Sequence, residues 1–310
     1  MRKRVLVVSD VKRQNSGDLL LAKALKQKLG RDTQLLFAGV ASDPSLSRIH
    51  PLAALILLVF RVRRPVKIIF GPGGIFYDSP LNFNITYYFC FYLASRISGV
   101  SYEILGVSIS TMRSDYAKFC TKVILKGARA ITVRDELSYK KCIACVSDKR
   151  IVKLEQDFVH QHFRMCVNAC DEEKYILICP TPMGEKYGFE KSSTIANFFR
   201  SKISEALGEG FKVFVVPFHK TRDFDFCLAI SDASASEKVV LVDRYSLEEL
   251  AALMKGAECC YVMRLHSMIM ASILCAQVRC IPYHEKVTEY LRAHHCNNVS
   301  LISVLNFDEN

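Results

Sequence analysis

The chain has 310 residues, half of them hydrophobic, and 42 Lys and Arg against 31 Asp and Glu give a formal charge of +11. That length suits two domains of roughly 150 residues better than one core, and the apolar content with only 9 prolines excludes a disordered or low-complexity chain. The positive balance favours anionic partners (phosphorylated substrates, acidic glycans, nucleic acid or an anionic membrane face) without choosing among them.

The opening MRKRVLVVSD has a basic tip, but its apolar run is short, ends in Asp10 and has no small-residue cleavage site. It reads as a first strand and not as a signal peptide. Short β-branched runs then alternate with amphipathic stretches, the pattern of βα units around parallel sheets. In the first half, strands are expected at RVLVV, QLLFAG, VKIIFG, SYEILGVSI, ARAITV and DKRIVKL, with helices near 18–29, 46–60, 83–98, 114–127 and 136–145. The polar stretch 158–173 interrupts the pattern, so domains are assigned to 1–160 and 171–310 around a linker at 161–170. The alternation resumes with KYILICP, a helix over 192–207, FKVFVVPF, a helix near 222–232, KVVLVD, a helix from Ser246, AECCYVM, a helix after His266 and VRCIPY. The expected fold class is α/β, with two Rossmann-like domains facing each other across a cleft.

The apolar stretches Ile49–Phe60 and Phe83–Ala94 are shorter than the about 20 residues a bilayer span needs. A soluble or peripheral protein of the cytoplasm is expected. Thirteen cysteines, many inside apolar runs, read as small hydrophobes in a reducing compartment. The pairs Cys142/Cys145 and Cys166/Cys170 come near zinc-ribbon spacing but lack the knuckle glycines, so no metal is expected. Nucleic acid is disfavoured as a partner because the aromatics lie in apolar runs and not among the basic residues.

In open α/β sheets ligands bind at the carboxyl ends of strands, and the candidate residues sit at those ends. Gly71-Pro72-Gly73-Gly74 follows an apolar strand and is either a tight turn or a place where backbone N–H groups of Gly73 and Gly74 approach an anion; it is neither a Walker loop nor GxGxxG. Tyr77 and Asp78 follow it. Asn15-Ser16-Gly17-Asp18 either caps the next helix or presents its N-terminus to a ligand, and the two are compatible. Arg134 opens a helix against its dipole, so it is either paired with a carboxylate or kept for a ligand. His219-Lys220 reads equally as a solvated loop or as a second anion contact. In YVMRLHSMIM, strand alternation places Arg264 and His266 on one face, with Leu265 turned to the core. A guanidinium binds phosphate or carboxylate with two hydrogen bonds, and a histidine beside it can carry a proton near neutral pH.

The order Gly17-Asp18, GPGGIFYD, GVSIS, ITVRDELS, MRLHSMIMASI and IPYHEKV resembles the polysaccharide pyruvyl transferase family over about residues 5–290. The RLH block with Tyr283-x-x-Lys286 downstream is the most specific part. The resemblance implies two Rossmann-like halves similar to the GT-B glycosyltransferases, and transfer of pyruvate from phosphoenolpyruvate to a sugar of a surface glycan as a ketal. It assigns Arg264 and His266 to the donor, Arg134 to its anion and Asp78 to the glycine-loop aspartate. Where the family often has a second glycine pair and an aspartate-proline, Gln156-Asp157-Phe158 stands here, which leaves Asp157 without a role. On this reading His266 is the general acid, Asp78 the base, and Gly73, Gly74 and His219 further donor contacts. Asn15, Asp18, Tyr77 and Lys286 meet the acceptor, and the arginines supply the charge a metal would. The acceptor this implies is a glycan repeat unit, free or carried on a polyprenyl lipid. Residues 49–67 then have two readings, a helix buried against the sheet with a basic loop after it, or a contact with an anionic inner leaflet. A GT-B-type glycosyltransferase using a nucleotide sugar is the alternative function.

Overall fold

The computed structural model describes residues 3–9, 15–30, 32–38, 47–62, 65–163, 165, 167–169, 173–183, 189–283, 285–294 and 296–304. They form two compact units, Met1–Arg13 with Asp18–Phe163, and Gln14–Gly17 with Arg164–Asn310. The segment around Gly17 thus belongs with the second unit, a division that the assigned boundary at 160 did not contain.

Through Phe163 the elements are β1 (Lys3–Val8), α1 (Ser16–Leu29), β2 (Thr33–Ala38), β3 (Ser47–Ile49), α2 (Pro51–Val59), β4 (Lys67–Phe70), β5 (Gly73–Phe76), α3 (Phe83–Ser98), β6 (Tyr102–Ile109), α4 (Asp115–Gly127), β7 (Ile131–Val133), α5 (Glu136–Cys145), β8 (Val152–Leu154) and α6 (Phe158–His162). The described strands make one parallel sheet in the order β3-β2-β1-β4-β6-β7-β8, with β5 also paired to β6. The central strands are buried on both faces, as parallel strands covered by helices must be. Short polar side chains start several helices: Ser114 accepts from the Ala117 N–H, Asp135 from the Ser138 N–H and Asp157 from the Val159 N–H.

After Phe163 come β9 (Tyr175–Cys179), α7 (Phe189–Gly208), β10 (Lys212–Val215), α8 (Phe224–Asp232), β11 (Val239–Leu241), α9 (Leu247–Gly256), β12 (Cys259–Val262), α10 (Leu265–Leu274), β13 (Val278–Cys280), α11 (Glu285–Ala293) and β14 (Val299–Leu301). The second sheet is parallel in the order β11-β10-β9-β12-β13-β14. Each unit closes its own core, the first around Phe70, Phe76, Tyr88, Phe91 and Tyr102, the second around Ile178, Phe199, Val215, Ile230 and Met263.

Several elements depart from expectation, each for a local reason. The GPGG stretch is not a free loop. After the cis Gly71–Pro72 bond the chain resumes as β5, with Gly73 paired to Val107 and Phe76 to Ile109. Gly73 and Gly74 are therefore strand residues and not an anion nest. The expected helix over 46–60 splits into β3 and α2, because Pro51 takes the first helical position and His50 caps it by accepting from the Leu52 N–H. Only one side of α2 is buried: Ala54 and Leu58 enter the core of the first unit, while Leu52, Ile56 and Val59 are exposed, as is Phe60 after them. The stretch 158–173 that interrupts the pattern opens with α6, started by the Asp157 cap. Both β3 and β14 are three-residue edge strands with partly exposed side chains, too short for an apolar period to register.

Every cysteine among the described residues is a free thiol, and most are buried. Cys142 and Cys145 lie on α5, while Cys166 and Cys170 fall outside the described residues. No described helix is long and apolar enough to cross a membrane.

Gly71 has φ +102°, and a Cβ there would lie 2.6 Å from the Leu105 carbonyl oxygen and 2.7 Å from Val107 Cγ1. Gly71→Ala is expected to lose more than the about 1–3 kcal/mol of backbone strain alone, measured by urea unfolding. Gly30→Ala is the control, since Gly30 shares a positive φ with open space around it, and should lose only about 1 kcal/mol. Equal losses at the two positions would contradict the close approach.

Candidate active site

In the second sheet the strand order reverses between β9 and β12, with β10 beyond one and β13 beyond the other. The carboxyl ends of such a pair form the crevice where doubly wound sheets bind ligands. Thr181 lies just past β9, and Arg264 just past β12. The strand ends at Val262 and Met263 is buried, so Arg264 is the N-cap residue of α10 and His266 its second helical residue. Strand alternation is therefore not what groups them, although Leu265 does turn into the core. A helix start does the same work, because it projects cap and first-turn side chains past the sheet edge together with unbonded N–H groups.

Asp223 holds the arginine. Its side chain is fully buried, and it accepts from Arg264 Nε at 2.7 Å and from Arg264 Nη2 at 2.5 Å. The Thr181 hydroxyl donates to the same carboxylate at 2.8 Å and the His219 N–H at 2.8 Å. Four donors thus occupy one buried carboxylate, which satisfies it and fixes the plane of the guanidinium. Tyr283 also hydrogen-bonds Arg264. The guanidinium side chain keeps 20% exposure, so the clamped group still has a face toward solvent.

His219 is 6% exposed. Burial first, and then the positive charge of Arg264, lowers its pKa from the ordinary histidine value, which favours the neutral ring. Its Nδ1 lies 3.3 Å from the Arg222 N–H and accepts from it, which leaves the ring proton on Nε2. The solvated-loop reading of His219 is thus replaced by a buried ring beside the arginine.

The segment at Gly17 completes the site. Asn15 forms an antiparallel bridge with His219, and the Ser16 N–H donates to the Phe218 carbonyl at 3.2 Å. The Ser16 hydroxyl is 3.0 Å from the Tyr245 hydroxyl, which donates to the Pro217 carbonyl at 2.8 Å. The imidazole of His266 packs on Gly17, where an added Cβ would lie 2.6 Å from Nδ1. Asn15 Oδ1 accepts from the Gly17 N–H at 3.1 Å, so this side chain shapes the turn that His266 packs on.

The second unit therefore brings Asn15, His219, Arg264 and His266 together. Gly73, Gly74, Tyr77, Asp78, Asp18 and Arg134 belong to the first unit. Asp78 Oδ2 accepts from the Arg113 N–H at 2.5 Å, while its Oδ1 is buried with no hydrogen-bond partner among the described residues. Arg134 is not an open anion contact. Its Nη1 donates to Asp157 at 2.6 Å and its Nε to the Ser108 hydroxyl at 2.7 Å, with side-chain exposures of 7% for Arg134 and none for Asp157. The choice left open for Arg134 falls to pairing, and Asp157 is the partner. Lys286 stands in the first turn of α11, its side chain outside the description. Sequence reasoning gave no role to Asp223, Thr181 or Tyr245, although Thr181 and Asp223 stand at strand ends, Asp223 four residues past His219.

The family model for polysaccharide pyruvyl transferase matches residues 15–285. The chain belongs to that family. The matched span of this pyruvyl transferase family member starts at Asn15 and contains Arg134, His219, Asp223, Arg264 and His266. No curated protein matches it in sequence. Solved structures share its fold at low identity. A UDP-GlcNAc 2-epimerase from Methanocaldococcus jannaschii superposes with TM-score 0.60 at 11% identity over 98% of this chain and 89% of that one. The Neisseria meningitidis UDP-GlcNAc 2-epimerase, bound to UDP-GlcNAc, gives 0.59 at 12% over 97% and 88%. The E. coli ADP-heptose LPS heptosyltransferase II gives 0.52 at 12% over 98% and 91%. These GT-B-type neighbours establish the architecture of the family member and nothing of its chemistry.

Asp223→Ala removes the partner of a largely buried cation. The expected loss of stability is about 3 kcal/mol, the lower end for a broken buried pair because Arg264 keeps some solvent. Urea unfolding of the full chain checks it, and a loss under about 1 kcal/mol, as for a surface pair, would contradict the clamp.

Proposed function

We propose that the protein transfers the pyruvyl group of phosphoenolpyruvate to a sugar of a surface polysaccharide, or of its lipid-linked repeat unit, as a cyclic ketal with release of phosphate. The observation that carries this reading is the Arg264 guanidinium, clamped by buried Asp223 at the start of α10 in a chain of this family. Phosphoenolpyruvate offers a phosphate and a carboxylate to that group. The first N–H groups of α10 and the Nε2–H of neutral His219 are further donors for the same anion. Arg134 drops out of the donor set because Asp157 occupies it. Gly73 and Gly74 drop out because they are built into β5.

In the reaction, protonated His266 gives its proton to the methylene carbon of phosphoenolpyruvate, leaving an oxocarbenium-like centre at the carbon that bears the phosphate. A sugar hydroxyl bonds to that carbon and its proton passes to Asp78, whose buried Oδ1 has no hydrogen-bond partner among the described residues. The C–O bond to phosphate then breaks, with the proton on Asp78 passing to the departing phosphate and Arg264 stabilising its developing charge. A second hydroxyl closes the ketal and returns its proton to His266. Phosphoenolpyruvate is a co-substrate, and the scheme calls on no cofactor or metal, since Arg264 and backbone dipoles carry the charge. Asp18, Tyr77 and Lys286 are the proposed contacts to the acceptor.

Incubation with phosphoenolpyruvate and a panel of lipid-linked or aryl galactosides and N-acetylhexosamines is expected to release phosphate and yield a product heavier by one pyruvate ketal. His266→Ala should lower kcat by about 10²–10⁴-fold, with the fold retained by circular dichroism. Turnover of a nucleotide sugar, with none of phosphoenolpyruvate, would replace this reading by the glycosyltransferase one.

A further inference from the structure

A surface helix ordinarily turns an apolar stripe inward and a charged face outward. In the first unit, α2 buries Ala54 and Leu58 but has no charged face and turns further apolar side chains outward. Pro51–Val59 contains no charged residue, and its outward stripe is Leu52 and Ile56, continued by Phe60 at the C-cap. Phe60 is 72% exposed and Leu52 60%. The stripe extends onto α3, which packs beside α2 and exposes Leu93 and Ile97 one turn apart. The Arg61 side chain ties the two helices, donating to the Ile97 carbonyl at 3.4 Å. A contiguous apolar patch of this kind on a surface marks a docking site.

Charge selects what docks. From Pro44 to Tyr77 the sequence holds five Lys and Arg and no Asp or Glu, and α3 adds Arg96 with no acid of its own. Lys67 is neutralised by Glu103 at 2.8 Å, but exposed Arg48, Arg61 and Arg96 have no carboxylate in this stretch to answer them. A second copy docking through the same face would set these arginines against themselves, as any two-fold interface repeats its own charges. An anionic lipid surface satisfies both halves of the patch, phosphates for the guanidiniums and an acyl boundary for the side chains between them.

We propose that α2, the turn after it and the end of α3 form a face that rests on an anionic leaflet, with Leu52, Ile56, Phe60 and Ile97 entering the headgroup–acyl boundary and Arg61 and Arg96 meeting lipid phosphates. The proposal stands independently of the proposed reaction. The chain contains no tryptophan, so Phe60→Trp creates a single fluorescent reporter in the patch. With vesicles of phosphatidylcholine and phosphatidylglycerol, its emission is expected to shift to the blue and to be quenched by lipids brominated on the acyl chain. The response should weaken as salt rises and be small with phosphatidylcholine alone. In the same background Ile56→Glu, or Ile97→Glu on the other helix, is expected to weaken binding by about tenfold or more, with unchanged circular dichroism. No shift on anionic vesicles, equal binding to neutral ones, or binding indifferent to both substitutions would overturn the proposal. So would a dimer in sedimentation velocity that buries the reporter and is abolished by Ile56→Glu.

Discussion

The site depends on one buried carboxylate. Asp223 sits at the start of α8 with no exposure, and a lone ionised group there would cost several kcal/mol in lost hydration. It is tolerated because Arg264, Thr181 and the His219 backbone surround it with donors. That arrangement recruits residues from the ends of β9, β10 and β12, three adjacent strands, so the sheet order and the clamp require each other. An arginine held in this way has lost most of its side-chain freedom before any ligand arrives, which lowers the entropic cost of binding an anion.

Much of the fold was legible because parallel sheets covered on both faces leave apolar runs. RVLVV, VKIIFG, KYILICP and AECCYVM were read as strands and are strands. What escaped were elements whose identity is set by partners far along the chain. β5 contains two glycines and becomes a strand only because β6 offers it an edge, and α6 is five residues started by a cap. The candidate residues were found by a simple rule, polar groups at strand ends, and four of them meet in the second unit. Their grouping was ascribed to strand alternation, although Arg264 and His266 belong to a helix start. The rule could not say which polar groups neutralise one another, since Asp157 and Asp223 lie 23 and 41 residues from the arginines they hold.

The two buried pairs, alike in chemistry, have different consequences. Arg134 is almost wholly enclosed, with its Nε and Nη1 on Ser108 and Asp157, so its work is to join the end of β7 to α6. Arg264 retains a solvent face and stands over an uncapped helix start. The difference in exposure, and not residue type, separates the enclosed arginine from the one proposed to bind the donor. Gly17 adds a steric condition. With its Cα facing the imidazole, the position of His266 is set by a residue some 250 positions earlier, which explains why the segment at Gly17 belongs with the second unit.

The central claim is that Arg264 binds the donor through its oriented, two-pronged group and not through charge alone. Calorimetric titration of phosphoenolpyruvate into wild type and Arg264→Lys separates these, because lysine keeps the charge and loses the fork. The account predicts saturable binding to the wild type and a dissociation constant weakened by about tenfold or more in the lysine variant. Equal affinity of the two proteins, or no binding of phosphoenolpyruvate to the wild type, would contradict it.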